Sequence, residues 1–451
     1  MCHFPNVLGG NRVRAGDRIL IHKYIYSISA PRRWDVVVFK NPNEPTQNYI
    51  KRLVGLPDES LLIIEGNVYV KPREAGDDRW RIARKTDSRE NPHATRIQRV
   101  LWQPVYHSRF RPRDRGLNAK GGRRWNMPWS PEVGDWKLGR AFVHDSANAG
   151  LLTFDFADQS PPYDFLKWYA YNQHTHNTWL EQPIEDVRVA ASVQPLDANL
   201  VVRLRTTTRL DRVDGTVLAL EAAVQADGKV TLSAFETTEQ DGRKVETPDT
   251  RRVLAEADGS PLPVGVATPI ELWYVDQEAS VWVDGERMLV WQFELDFTAL
   301  CERRPLEARR YPQVEIEVNG APVALHDLEV DRDIAYTSAK PRPLDKPGRG
   351  TMVKYHGETR FAGEPVHIAP EQFFCLGDNS PLSHDGRFWE EKNLAPWIRQ
   401  TMLPDESHRF GVVPEDLMIG KAFFVYFPAP YPISSNGAAV VPNFGEMRFI
   451  R

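Results

Sequence analysis

A lysine set inside an apolar strand pattern is the group best placed to do chemistry in this sequence. The run Tyr49-Ile50-Lys51-Arg52-Leu53-Val54-Gly55-Leu56-Pro57 reads as a strand that ends at a turn. Alternate residues of a strand share a face, so Lys51 lies with Tyr49 and Leu53, while Ile50 and Arg52 point the other way. Burying a charged ammonium is costly. Desolvation favours the neutral amine over the form that predominates below the free-lysine pKa of about 10.4. A lysine on an apolar face is therefore equipped to act as a general base. Taken alone, the run also fits a lysine on a solvated strand face. Far downstream, Gly377-Asp378-Asn379-Ser380-Pro381-Leu382-Ser383-His384-Asp385-Gly386-Arg387-Phe388-Trp389 concentrates hydroxyls, carboxylates, a guanidinium and an imidazole. Ser383, His384 and Asp385 have the residue types of a catalytic triad, but triads are assembled in space rather than from sequence neighbours. Turn-capping and surface pairing is the ordinary alternative for Asp378, Asp385 and Arg387.

Two further segments accompany these: Gly16-Asp17-Arg18-Ile19-Leu20-Ile21-His22-Lys23, and Arg32-Arg33-Trp34-Asp35-Val36-Val37-Val38-Phe39-Lys40-Asn41-Pro42. In order and content the four segments resemble the boxes of the type I signal peptidase family. That pattern runs roughly GDxVVVxK, RGDIVVFxxP, YIKRxxGLPGD and GDNxxxSxDSRxxG. The lysine box matches almost throughout, with Asp58-Glu59 where Gly-Asp is usual. The last box keeps Gly377, Asp378, Asn379, Ser383, Asp385 and Arg387, with Gly386 where serine is usual. The resemblance covers about Gly9–Arg73 and about Pro343–Phe427.

The resemblance implies a serine-type endopeptidase that removes N-terminal signal peptides from exported preproteins by a Ser/Lys dyad, at the outer face of the cytoplasmic membrane. Lys51 would be the general base and Ser383 would orient its amine. Arg52 and Asp378 would form an ion pair beside the site, supported by Asn379, and Asp385 with Arg387 would hold the loop carrying Ser383. Substrate would bind extended, as an added strand beside Lys51. Acyl transfer of this kind needs no metal or organic cofactor. The family places its nucleophile in an S-M-x-P-T-type box, after a transmembrane helix and before the first box found here. The residues ahead of Gly16 contain no serine, and Ser27 and Ser29 follow the box. The expectation is that serine and membrane anchor lie upstream of Met1, which leaves this chain without its nucleophile and inactive alone. A catalytically inactive peptidase-like scaffold and a glycan- or protein-binding β-sandwich protein are the alternatives.

The elements that must position these residues are mostly strands. Arg18–His22, Asp35–Lys40, Tyr49–Val54, Leu61–Ile64 and Val68–Lys71 are short, β-branched runs broken by Gly, Pro and Asn. Glu65-Gly66-Asn67 reads as a hairpin turn. Residues 1–73 are thus expected to form one part of a peptidase core, and 343–451 the other. Between them, 74–130 reads as a basic, Arg- and Trp-rich irregular connector. Residues 131–342 read as a β-sandwich insert, with hairpins at Asp227-Gly228, Asp284-Gly285 and Asn319-Gly320. Ile270–Trp291 and Val314–Tyr336 resemble concanavalin-like or laminin-G-like sandwiches. The expected fold is mainly β: a signal-peptidase-like core in two sequence-distant parts, interrupted by a sandwich.

Trp273, Tyr274 and Trp282 are candidates for an aromatic binding platform, with strand packing as the alternative. His174 and His176 share a strand face but lack Cys or carboxylate neighbours at metal spacing, so no metal site is expected there. Arg79, Trp80, Arg81, Arg123, Arg124, Trp125 and Trp129 combine cations with indoles, a composition suited to an anionic membrane surface or to a solvated linker. The partner of the insert is unknown. In 451 residues the 57 basic and 61 acidic side chains give a formal net charge of −4, so the whole chain is not a general polyanion binder and no nucleic acid is expected. Cys2, Cys301 and Cys375 are too few to form a disulfide framework.

Overall fold

The computed structural model describes residues 17–64, 66–73, 79–108, 128–154, 184–208, 217–240, 243–294, 297, 312–336, 365–378, 383–389, 393–403, 411–428, 431–432, 439–441, 444 and 447–450. They fall into two compact units. One takes the residues up to Leu101 and from Ala335 onward; the other runs from Trp102 to Ile334.

In the first unit, five strands form where the β-branched runs lie: β1 (Arg18–His22), β2 (Val36–Lys40), β3 (Asn48–Gly55), β4 (Glu59–Ile64) and β5 (Asn67–Pro72). Ile64 pairs with Asn67 across Gly66, whose φ of 90° suits a residue without Cβ in a tight hairpin. The main sheet has the order β1, Met418–Phe427, β2, β3, Gln372–Leu376, Val412–Pro414, with Arg448–Phe449 beside Met418–Phe427. Strands from the two ends of the chain interleave, so neither part builds this sheet without the other. Val36, Val38 and Ala422 share one face with Ile19, Ile21, Ile50 and Ile419. A smaller sheet joins Val366–Ile368, β4, β5 and Arg81–Ile82.

The span 74–130 contains more regular structure than its composition promised. Helix α1 (Ala94–Leu101) buries Ala94, Ile97, Gln98 and Leu101 at helical spacing. Two arginines among eight residues mask that periodicity in the sequence. Gln103–His107 and Trp129–Val133 are sandwich strands.

The second unit is a sandwich of two antiparallel sheets. The first runs Glu286–Gln292, Glu278–Val283, Thr268–Val275, Val187–Pro195, Val323–Arg332, Phe142–His144, Trp136–Leu138, with Gln103–His107 beside Val323–Arg332. The second runs Arg243–Glu246, Lys229–Gln240, Val217–Gln225, Val201–Thr208, Val314–Asn319, Gly150–Phe154, Trp129–Val133, with Arg252–Asp258 beside Lys229–Gln240. Val189, Leu272, Val281 and Val330 from one sheet meet Leu204, Leu220, Leu232 and Ile316 from the other in a single core. Burying each such side chain contributes about 1.5–3 kcal/mol.

Two of the three Asx-Gly turns are hairpins. Asp284 and Gly285 both have positive φ between paired strands, and Asp227-Gly228 joins two others. Asn319-Gly320 is not a hairpin. Val314–Asn319 and Val323–Arg332 lie in different sheets, so this turn carries the chain across the sandwich. Gly320 is needed there for a different reason: its φ is 90° and a Cβ would sit 2.2 Å from the Asn199 carbonyl oxygen. A hairpin that no glycine announces lies at Asp276-Gln277, where both residues have positive φ between Val275 and Glu278.

Candidate active site

Lys51 stands in the middle of the main sheet, opposite Val37 on β2. It is buried although it is a lysine, and its Nζ lies 5.4 Å from the centroid of the Tyr49 ring on the same face. Nζ donates a hydrogen bond of 2.6 Å to Ser383 Oγ, which is also buried. The two residues meet because Gln372–Leu376 pairs with β3 as far as the contact of Leu376 with Arg52, and the chain then turns back over Lys51. Gly377 permits this turn: a Cβ there would lie 2.0 Å from Ser383 Oγ and 3.3 Å from Lys51 Nζ.

Asp385 closes the loop. One carboxylate oxygen accepts from the Gly377 N–H at 2.8 Å, and the carboxylate as a whole accepts from Arg387 Nε at 2.8 Å and Nη2 at 2.7 Å. Asp385 thus ties the first residue of the loop to the last. Burial pushes its carboxyl up, but the Arg387 guanidinium, then Lys51 and the Gly377 amide, outweigh burial and hold it below the usual carboxylate range. On the opposite face of β3, Arg52 forks onto Asp378 through Nε at 2.8 Å and Nη2 at 2.7 Å, while its Nη1 donates to the Trp34 carbonyl at 2.7 Å. Of the residues singled out in the sequence, Lys51, Ser383, Arg52, Asp378, Asp385 and Arg387 come together. Asn379 lies outside the described residues, as does the segment before Asp17. A Ser383-His384-Asp385 triad does not form: the serine is engaged by Lys51, and the aspartate by Arg387 and Gly377.

The frame around this site holds residues that the sequence reading did not single out. Trp34 is fully buried with φ of 73°, at the place where the family pattern has glycine. A bulky residue in that conformation costs on the order of 1–3 kcal/mol. Its indole donates to the Arg84 carbonyl and lies under the Lys85 ammonium, offsetting that strain by packing. Asp58, also at a usual glycine position, has φ of 59°. Arg33 forks onto buried Glu59 at 2.7 and 2.8 Å and reaches Glu90 at 3.2 Å. Asp35 accepts from Lys421 Nζ at 2.6 Å and from Asn91 Nδ2 at 3.1 Å. Cys375 is buried, and burial pushes its thiol far up, which makes it a poor nucleophile. The Tyr26 phenol is likewise pushed up by burial, with Asp35 and Cys375 adding to it. Of these, Trp34 and Asp58 carried a sequence signal, each as a departure from a glycine of the family pattern.

The remaining candidates lie elsewhere. Trp273 and Trp282 are buried, with ring centroids 4.7 Å apart; their N–H groups donate to Glu271 and Ser280. Tyr274 belongs to the sandwich core, and so does Trp129, which packs edge-on to Phe154. These indoles and this phenol therefore offer no exposed platform. Lys71 lies over the Trp80 ring. Cys2, Cys301, His174, His176, Arg123, Arg124 and Trp125 lie outside the described residues. Among the described residues, two groups bring enough ligand atoms together for a cation: His107 with Glu329 and Asp331, and Asp186 with Asp276 and Asp333. Both lie in the sandwich, and the first is already bridged by Arg188.

The family model described as signal peptidase, peptidase S26, matches residues 10–107 and 310–427. Signal peptidase I of Pseudomonas aeruginosa is 41% identical over 61 residues, 11% of this chain and 22% of that protein. The Pseudomonas fluorescens enzyme is 43% identical over 79 residues, 18% of this chain and 22% of that protein. The chain spans about a fifth of the length of these curated relatives. Among solved structures, the carbohydrate binding module CBM66 from Bacillus subtilis is 12% identical with a TM-score of 0.27, covering 46% of this chain and 96% of that one. A Bacillus subtilis protein of unknown function with a galectin-like fold is 11% identical with a TM-score of 0.29, covering 51% and 98%. The family match flanks the middle of the chain, and its two parts together carry Lys51 and Ser383: in these two segments the chain is similar to the signal peptidase family, peptidase S26.

Proposed function

We propose that this protein is a signal peptidase that cleaves N-terminal signal peptides from exported preproteins through a Ser/Lys dyad in which Lys51 is the general base. The observation that carries this reading is the 2.6 Å bond from buried Lys51 to buried Ser383. Ser383 occupies one side of the amine and fixes its orientation, leaving the amine lone pair to take a proton from an attacking serine hydroxyl. Burial favours the neutral amine that this role requires. Arg52 with Asp378, and Asp385 with Arg387, hold the backbone around the dyad. The substrate binds extended as an added strand, beside the point where the ladder between β3 and Gln372–Leu376 ends. The reaction takes place at the outer face of the cytoplasmic membrane. Exposed Leu20, Tyr24, Phe423, Tyr426, Phe444, Met447 and Phe449 favour a lipid surface as the neighbour of this unit.

The test uses the protein isolated from its own cells, with its N-terminus sequenced, and the same protein carrying Lys51→Ala. Each is incubated in detergent micelles with a preprotein, and the product N-terminus is sequenced. The expected result is a cut at the signal-peptide boundary by the unaltered protein and none by the variant. Equal cleavage by both rejects Lys51 as the base. No cleavage by either favours a peptidase-like scaffold.

A further inference from the structure

A second lysine shares the face of the sheet that carries Lys51. Val37 on β2 is the register partner of Lys51 on one side and of Lys421 on the other. Partners directly opposite in antiparallel strands point to the same face. Lys51, Val37 and Lys421 therefore form one row, and the two lysines lie two strand spacings apart, roughly 10 Å at the backbone. His22 continues the row beyond Lys421. Asp35 lies on the same face, opposite Leu53, whose N–H donates to the Asp35 carbonyl. Its side chain is only 5% exposed, against 27% for Lys421, and the two form an ion pair of 2.6 Å. Asn91 Nδ2 at 3.1 Å and the Arg32 N–H at 3.3 Å complete the shell of the carboxylate.

We propose that the Asp35–Lys421 ion pair is a positioning element for the dyad: it balances charge on the Lys51 face so that the amine of Lys51 stays available as a base. This rests on the general-base reading of Lys51. A lone cation at this distance pushes Lys51 towards its neutral form; a lone carboxylate pulls it towards the ammonium. The pair presents neither charge alone. Among the described residues, Asp385, neutralised by Arg387, also acts on Lys51, and Ser383, Cys375 and Tyr49 lie beside it, while the Tyr26 phenol is coupled to Asp35 and Cys375. Through about 10 Å at an effective dielectric constant near 20, one uncompensated unit charge changes the neutral fraction of Lys51 roughly tenfold. The two halves of the pair act with opposite sign.

The experiment measures the rate at which the Lys51 amine is acetylated by trace acetic anhydride across pH, read by mass spectrometry of the Lys51 peptide. This readout needs no turnover, so it stands apart from the peptidase assay. Lys421→Met leaves the Asp35 carboxylate charged, held by Asn91 and Arg32, and is expected to slow labelling at a given pH by roughly tenfold. Asp35→Asn leaves Lys421 uncompensated and is expected to speed it by a similar factor. Lys421→Arg keeps the pair and leaves the profile in place. Lys421 is part-exposed, so its variants keep the fold, checked by urea unfolding midpoints. Profiles unmoved by Lys421→Met, or moved the same way by both charge-removing variants, overturn the proposal. If labelling responds as expected while Lys51→Ala still cleaves preprotein, the pair tunes Lys51 and the general-base reading fails.

Discussion

Replacing Gly377 with alanine adds one methyl group at the contact on which the site depends. That carbon would lie 2.0 Å from Ser383 Oγ and 2.6 Å from Ser383 Cβ. Non-bonded heavy atoms rest at about 3.5 Å, so the serine must retreat by roughly 1.5 Å. The 2.6 Å bond to Lys51 does not survive such a shift, because an N–H···O bond ends near about 3.2 Å. Overpacking and the lost bond together cost about 2–4 kcal/mol of stability. Urea unfolding followed by tryptophan fluorescence measures this. Ser383→Gly in the same chain removes both clashing atoms. The double variant should therefore be more stable than the sum of the single effects by about 1–3 kcal/mol. If the dyad reading holds, cleavage of preprotein by Gly377→Ala falls about 100-fold in kcat with little change in KM, since a base misplaced by an ångström is enough. Unaltered stability of Gly377→Ala, or strict additivity in the double variant, refutes the reasoning.

Two other outcomes follow from buried groups. Asp385 is held below the usual carboxylate range in the folded state, so it contributes stability that is complete above the unfolded carboxylate pKa of about 3.9 and is lost as pH falls below it. Asp385→Asn should lower stability at pH 7 by about 3–5 kcal/mol, because the buried Arg387 guanidinium loses the carboxylate charge it forks onto, and should flatten the acid limb of the stability profile; denaturant titrations at stepped pH measure both. In the sandwich, Gly320→Ala should cost about 1–3 kcal/mol, from its positive φ and the contact with the Asn199 carbonyl, whereas Gly285→Ala meets no neighbouring atom and carries only the conformational cost; thermal unfolding of the two variants separates them.

The sequence determined the strands of the first unit and most residues of the site. β-Branched alternation broken by Gly, Pro and Asn is a local signal, and it placed β1 to β5 within a residue or two. The four boxes named Lys51, Ser383, Arg52, Asp378, Asp385 and Arg387 because each is a short run of fixed spacing. Two-residue hairpins at Asp284-Gly285 and Asp227-Gly228 were legible for the same reason: positive φ selects Asx and Gly locally. What only the tertiary structure decided is how separated segments meet. Val37 stands between Lys51 and Lys421 because strands from opposite ends of the chain interleave, and no local pattern records that register. Asn319-Gly320 has the composition of a hairpin but crosses between sheets, since a turn fixes backbone angles and not the sheet its second strand joins. Trp34 occupies a glycine conformation because long-range packing of its indole against Arg84 and Lys85 outweighs a local steric cost, a balance that appears only once the chain has folded.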